Sequence, residues 1–212
     1  MTLSRLSDHL RDALAGPLPG ADAHRIAWPD HLPRRGPDEL LGDYRDAAVM
    51  VLLFPRKGQV LIPLVERPTS MPHHPGQIAC PGGRLEPGED GAMAALRELE
   101  EELGVPPGNV ELLGELSTIW IPVSGFRVQP FVGVARDEPQ WVPDGREVQQ
   151  LLFAEPGELA RHGPTGLYRR RRDGMEFEAP AYEVGARLVW GATALLLAEL
   201  GEIWKQLPLE DQ

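Results

Sequence analysis

The segment that most constrains the fold is PGGRLEPGEDGAMAALRELEEELGV, residues 81–105. Its glycines and prolines predict a turn-rich loop, and a helical pattern follows over residues 90–103. On a helix with 3.6 residues per turn, one stripe is entirely apolar; its members are Ala92, Ala95, Leu96, Leu99 and Leu103. Gly104 comes directly after the last helical residue, where glycine commonly ends a helix. The segment is therefore predicted to be a glycine-rich loop followed by a helix with one buried face.

The other side of this helix carries three carboxylates. Glu98, Glu101 and Glu102 fall within an arc of about 100°, beside or opposite the apolar stripe. Like charges at such spacings repel, and Arg97, one turn from Glu101, relieves only part of that charge. A hard divalent cation bound through oxygen is the better match to three converging carboxylates, so we expect Mg²⁺ or Mn²⁺ here. A solvated acidic face is the alternative interpretation.

Strand-like apolar runs lie on both sides of the helix. Residues 47–54 and 60–66 are separated by PRKGQ and predict a β-hairpin. Three further runs follow the helix, at residues 110–119, 126–134 and 148–153. Strands before and after a central helix predict an α/β (α+β) sandwich.

The two ends of the chain carry further predicted elements. These are an N-terminal helix over 3–14, an irregular arm over 17–43, a hairpin over 167–182 turning at Asp173-Gly174, and an apolar helix over 189–204. The arginines at 169–172 are interpreted as a solvated strand edge. We divide the chain into an N-terminal helix and arm, 1–44, and a main domain, 45–212. The terminal helices make a homodimer plausible.

Charge and hydropathy exclude several classes of partner. With 32 acidic and 21 basic residues, the net charge of −11 disfavours binding to nucleic acid. No apolar run approaches the roughly 20 residues that span a bilayer, and the first residues lack a signal peptide's apolar core, so we expect a cytoplasmic protein without membrane contact. The single cysteine, Cys80, excludes an intramolecular disulfide.

The segment resembles a known signature. The residues Gly83, Glu89, Arg97, Glu98, Leu99, Glu101, Glu102, Gly104 and Val105 match every fixed position of the Nudix box, GX5EX7REUXEEXGU, where U is aliphatic. The resemblance implies an α/β/α sandwich with a mixed sheet and a catalytic loop-helix-loop. It also implies hydrolysis of a nucleoside diphosphate derivative by metal-activated water.

The resemblance also implies roles for individual residues. Glu98, Glu101 and Glu102 would be the metal ligands, with the backbone carbonyl of Gly82 as a further one. Arg97 and Glu89 would hold the loop and the helix together. The family also needs a general base, either a glutamate of the box or a carboxylate on a later loop, for which Glu147 is the candidate.

Upstream, ERPTSMPHHPGQIACPGG is similar to the corresponding segment of coenzyme A pyrophosphatases. The matching residues are Arg67, His74, Gly76, Gln77, Pro81, Gly82 and Gly83, whereas Pro68, Pro72 and Cys80 depart from that pattern. Arg67 and His73 or His74 could contact phosphates, Gly83 allows close approach of the backbone to substrate, and Gln77 could read a base edge or bind the loop.

The function expected from the resemblance is hydrolysis of coenzyme A or acyl-CoA. The alternatives are hydrolysis of ADP-ribose or another nucleoside diphosphate sugar, and a non-catalytic nucleotide-binding module.

Overall fold

A mixed β-sheet with helices on both faces forms the centre of the protein, as the sequence predicted. The structure is a computed structural model that describes residues 2–32, 44–71, 74–122, 124–172 and 175–208. The main sheet contains β1 (Arg45–Arg56), β2 (Gln59–Glu66), β3 (Ile78–Ala79), β4 (Gly82–Arg84), β5 (Glu111–Glu115), β6 (Ile119–Ile121), β7 (Phe126–Val134) and β8 (Gln150–Ala154). A smaller sheet contains β9 (Gly166–Arg172), β10 (Met175–Val184) and β11 (Arg187–Val189). The helices are α1 (Leu3–Ala15), α2 (Gly20–His24), α3 (Gly91–Leu103), α4 (Pro156–His162) and α5 (Ala192–Gln206).

One parallel strand pair makes the sheet mixed. The central order is β3-β2-β1-β7-β5, and β4, β6 and β8 pair with β1, β7 and β2. The strands β1 and β7 run parallel, whereas the other pairs are antiparallel. The long parallel pair brings residues 45–53 beside residues 126–134.

The two faces of β1 belong to two hydrophobic cores. Met50 and Leu52 pack with Leu99 of α3, whereas Val51 and Leu53 pack on the other side with α1 and α5. This division follows from the alternation of side chains along a strand. Ala95, Leu99 and Leu103 of the predicted apolar stripe are accordingly buried, so the helix is fixed to the sheet, and of its acidic residues Glu101 is exposed whereas Glu102 is buried.

The predicted strands are present, and one of them is divided into two. The hairpin of β1 and β2 forms as expected, but residues 110–119 give two strands, β5 and β6. The pairing with β7 shifts between Leu112 and Gly114. Beyond the shift, the backbone N–H and hydroxyl of Ser117 donate to the buried carboxylate of Glu199, which takes this stretch out of the strand.

The arm predicted over 17–43 is wrong in its first part. Residues 20–24 form α2, and a 3-10 turn follows at Arg25–Ala27. Both pack on α5, where Gly20 N–H donates to Glu199 and His24 Nε2 lies 3.0 Å from the same carboxylate. These contacts are distant in sequence, so local periodicity did not reveal them. Residues 33–43 lie outside the described part, and the division at residue 44 stays a prediction.

The C-terminal elements differ in detail from the prediction. The strands β9 and β10 pair antiparallel, but their predicted turn at Asp173-Gly174 lies outside the described residues. The side chains of Arg169, Arg170 and Arg171 are exposed on the edge strand, as expected. The short helix α4 was not predicted. No helix in the described ranges combines the length and the apolar character needed to cross a membrane.

Candidate active site

The loop before α3 lies against the carboxylate side of that helix. Asp90 caps α3 by accepting from Met93 N–H at 2.8 Å, and Gly104 ends it with a φ of 71°. At Gly82 a side chain would collide with the backbone of β1, and at Gly83 it would collide with the Glu98 carboxylate. Glycine at both positions therefore allows the loop to lie between β1 and α3.

Arg97 ties this loop to the helix. Its Nε and Nη2 lie 2.9 and 3.0 Å from the two carboxylate oxygens of Glu89, and Nη2 also donates to the carbonyl of Arg84. The hydrogen bond from Arg97 is the main reason why the pKa of Glu89 is lowered. This geometry matches the supporting role that the resemblance implied for the pair.

Arg97 also contacts two of the acidic residues on its own helix. Its Nη1 lies 2.9 Å from Oε1 of Glu98 and 3.0 Å from Oε2 of Glu101. The Glu101 side chain is 59% exposed, whereas that of Glu98 is 13% exposed. Burial raises the pKa of Glu98 despite Arg97, and the charges of Glu101 and Glu147 add to that rise.

Glu102 is the most deeply buried carboxylate of the helix, with 2% of its side chain exposed. It accepts from Gly82 N–H at 3.3 Å, and Arg67 Nη1 lies 3.8 Å from its Oε1. Burial and the charge of Glu98 raise the pKa of Glu102 to about 8, although Arg67 and Gly82 oppose that rise. A buried, electrostatically unfavourable carboxylate next to Glu98 is suited to binding a cation.

The predicted convergence of the three carboxylates is not present in this side-chain arrangement. Within the residues that the structure describes, no group of three acidic, histidine or cysteine side chains is placed to hold one ion. Arg97 contacts Glu98 and Glu101 through the same nitrogen. The donor chemistry nevertheless fits Mg²⁺ or Mn²⁺, because carboxylate oxygens of Glu102 and Glu98 lie against the backbone at Gly82 and Gly83.

Arg67 and Glu147 face the same region. Arg67 Nε is buried and has no hydrogen-bond partner among the described residues. Glu147 is exposed on the loop before β8, yet its charge raises the pKa of both Glu98 and Glu102. The candidate base is thus near enough for its charge to act on both glutamates.

His74 and Gln77 lie in the loop after β2. His74 Nδ1 is 2.7 Å from Gln77 Oε1, so the two predicted substrate contacts bind each other. The loop closes by backbone hydrogen bonds between Arg67 and residues 76 and 77. This favours the loop-binding interpretation of Gln77. His73 lies outside the described residues.

A groove that the sequence did not predict begins at the carboxylate helix. Its larger cavity, about 850 Å³, is lined by Glu98, Arg97 and Arg84 among others. A second cavity of about 340 Å³ adjoins it, since Asp46 and Leu85 line both. Trp120 and Arg127 line the second cavity. Trp120 and Arg127 come from separate strands, β6 and β7, and no local sequence pattern marked them.

Comparison with known proteins agrees with the fold and the box. The NUDIX domain profile matches residues 44–171. An uncharacterized Nudix hydrolase, NudL, of Escherichia coli strain K12 is 34% identical over 162 residues, covering 74% of this chain and 82% of that protein. NudL of Enterobacter sp. strain 638 is 34% identical over 160 residues, covering 74% and 81%.

Two solved structures share the fold. RenU, a Nudix hydrolase from M. smegmatis, has a TM-score of 0.55 at 18% identity, covering 88% of this chain and 98% of that one. A MutT/nudix family protein from Enterococcus faecalis has a TM-score of 0.52 at 20% identity, covering 83% and 66%. The chain belongs to the Nudix family. It is a Nudix pyrophosphohydrolase, so the alternative of a non-catalytic binding module is set aside.

Proposed function

We propose that this enzyme hydrolyses the pyrophosphate bond of coenzyme A or an acyl-CoA, giving 4′-phosphopantetheine or its acyl derivative and adenosine 3′,5′-bisphosphate. The observation that carries the substrate assignment is the segment 67–83. It resembles coenzyme A pyrophosphatases, and its first residue, Arg67, lies beside Glu102 at the carboxylate helix. A partly buried guanidinium with an unpaired Nε is suited to binding a phosphate oxygen.

The ion would be held by Glu98, Glu101, Glu102 and the carbonyl of Gly82. Glu101 would join the other ligands once its carboxylate leaves Arg97. Only the exposed side chain of Glu101 has to move for this. When bound, Mg²⁺ or Mn²⁺ neutralises the pyrophosphate and lowers the pKa of water. Arg97 and Glu89 keep the loop and helix in register during the reaction.

Glu147 is the proposed general base. Water adds to one phosphorus, the bridging P–O bond breaks, and Glu147 accepts the proton that the water loses. The effect of its charge on the pKa of both Glu98 and Glu102 supports this assignment. The Glu147→Gln variant should keep its affinity for substrate and lose turnover.

Parallel assays of the purified protein test the substrate. Coenzyme A, ADP-ribose and NADH would each be incubated with Mg²⁺ or Mn²⁺, and the products separated by chromatography. We expect the highest kcat/KM for coenzyme A and release of adenosine 3′,5′-bisphosphate. Faster hydrolysis of ADP-ribose would show instead that the substrate is a nucleoside diphosphate sugar.

A further inference from the structure

We propose that Trp120 is the platform on which the nucleobase of the substrate stacks, at the far end of the groove from Glu98. This inference rests on the proposed function, because it assigns the base end of the same nucleoside diphosphate substrate. It adds a specificity determinant on β6, outside the Nudix box.

The site is built on one row across three strands. Trp120 of β6 pairs with Arg127 of β7, which pairs in turn with Asp46 of β1. Residues paired directly across a sheet present their side chains on the same face. All three line the second cavity, so the row forms its floor or wall.

The start of α3 leaves this row uncovered. Its first residue, Gly91, lies so close to Gln129 that an added Cβ would be 2.5 Å from Oε1 and 2.9 Å from Phe131 Cε2. The start of the helix therefore lies against Gln129 and Phe131, and beyond it the cavity stays open over Gln129 and the row of Trp120, Arg127 and Asp46. The 340 Å³ cavity falls within the usual range of small-molecule sites and adjoins the cavity that reaches Glu98.

Neighbouring side chains hold the indole in place. The ring of Tyr44 meets Trp120 edge-on, with centroids 4.9 Å apart and an interplanar angle of 86°. The Arg127 guanidinium lies 5.7 Å from the indole centroid, and Arg127 Nε is 2.6 Å from Asp46 Oδ1. Asp46 and Arg127 thus fix each other next to a half-buried aromatic ring.

This chemistry favours a nucleobase over a pantetheine chain. A base has a flat π face that can stack on Trp120 and polar edges that can meet Asp46 or the Thr118 hydroxyl. A pantetheine chain has no aromatic ring and would gain little from the indole. The pyrophosphate would then extend along the groove towards Arg97 and Glu98.

Binding of AMP and of 4′-phosphopantetheine to the full-length protein tests the assignment. Trp120→Leu removes stacking, and we expect it to weaken AMP binding about 5- to 150-fold, as loss of one base–aromatic stack does. Trp120→Phe keeps an aromatic face and should stay within about 3-fold of the wild type. Affinity for 4′-phosphopantetheine should not change in either variant. Unchanged AMP affinity in Trp120→Leu, or loss of 4′-phosphopantetheine binding instead, would overturn the proposal.

A second measurement detects binding in the wild-type protein and uses a variant only to assign one resonance. In wild-type protein carrying 5-fluorotryptophan, the Trp120 resonance can be assigned by its absence from Trp120→Phe. AMP should shift this resonance and leave that of Trp190, which stacks on Tyr168 in the smaller sheet, unchanged. An unmoved Trp120 signal at saturating AMP refutes the site. If AMP shifts Trp120 but coenzyme A is not hydrolysed, the substrate assignment fails and the base site stands.

Discussion

Arg97 holds both carboxylate oxygens of Glu89, with Nε 2.9 Å from Oε1 and Nη2 3.0 Å from Oε2. This forked contact links the loop before α3 to the helix that carries the acidic residues. We expect Glu89→Gln to lower kcat about 10- to 100-fold and to raise the Mg²⁺ concentration needed for half-maximal activity. Glu100→Gln, an exposed change on the same helix, is the control. Equal metal dependence of the two variants would contradict the linking role.

Replacing the acidic residues of the helix themselves should lower kcat more than Glu89→Gln does. Each of Glu98→Gln, Glu101→Gln and Glu102→Gln should lower kcat by about 100-fold or more, since stabilisation by a bound ion is worth several kcal/mol. Circular dichroism should show that each variant stays folded. Near-normal turnover in any of them, measured against Glu100→Gln, would remove that residue from the ligand set.

Gly83 is predicted to be intolerant of any side chain. In Gly83→Ala the added Cβ meets the Glu98 carboxylate and must displace it, so kcat should fall at least about 10-fold, the lower end of the cost of disturbing a metal-ligand environment. Gly108→Ala is a matched control, because the space around that position holds no described atom within 4 Å. Steady-state assays of both variants check this. Wild-type activity in Gly83→Ala would show that Glu98 can move without loss.

Arg67 is predicted to act on substrate affinity. Because the Arg67 side chain is only 21% exposed and its guanidinium lies near Glu102, Arg67→Gln should raise the KM for coenzyme A about 10- to 100-fold, the range of one charge-assisted hydrogen bond. Arg136→Gln, whose side chain is 85% exposed, should leave KM unchanged. A fall in kcat with normal KM would instead indicate that Arg67 acts through Glu102.

Acid stability should depend on Glu199. Burial acts to raise its pKa, but the hydrogen bonds from His24 and Ser117 outweigh burial and lower the pKa below 4.5. Because the folded-state pKa is the lower one, this stabilisation is complete above about pH 4.5 and is lost as pH falls through the folded value. At pH 7, Glu199→Gln should reduce the free energy of unfolding by about 1–3 kcal/mol.

Urea denaturation between pH 3 and pH 7 measures this dependence. Glu199→Gln should unfold more easily at pH 7 and lose part of the decline in stability below pH 4.5. Glu202→Gln, on the same helix and paired with Lys205, should follow the wild-type curve. A wild-type pH dependence in Glu199→Gln would show that another group governs acid unfolding.

Elements encoded by short-range patterns were predicted well. The buried stripe, the capping region and the end of α3 follow from residues within a few turns of each other. The splitting of residues 110–119 was not predicted, since it depends on Glu199, 82 positions from Ser117. The helix over residues 20–24 was not predicted for the same reason, because its His24 contacts Glu199, which is 175 positions away.

The sequence alone determined the loop-helix unit, its apolar stripe and the identity of its acidic residues, because a helix repeats over 3.6 residues and the box lies within one segment. Only the tertiary structure decided that Glu102 is buried while Glu101 is exposed, since β4 covers one side of α3 and Arg97 reaches across the other. It also placed Trp120, Arg127 and Asp46 in one row. Asp46 and Arg127 are 81 positions apart, and their contact depends on the pairing of β1 with β7.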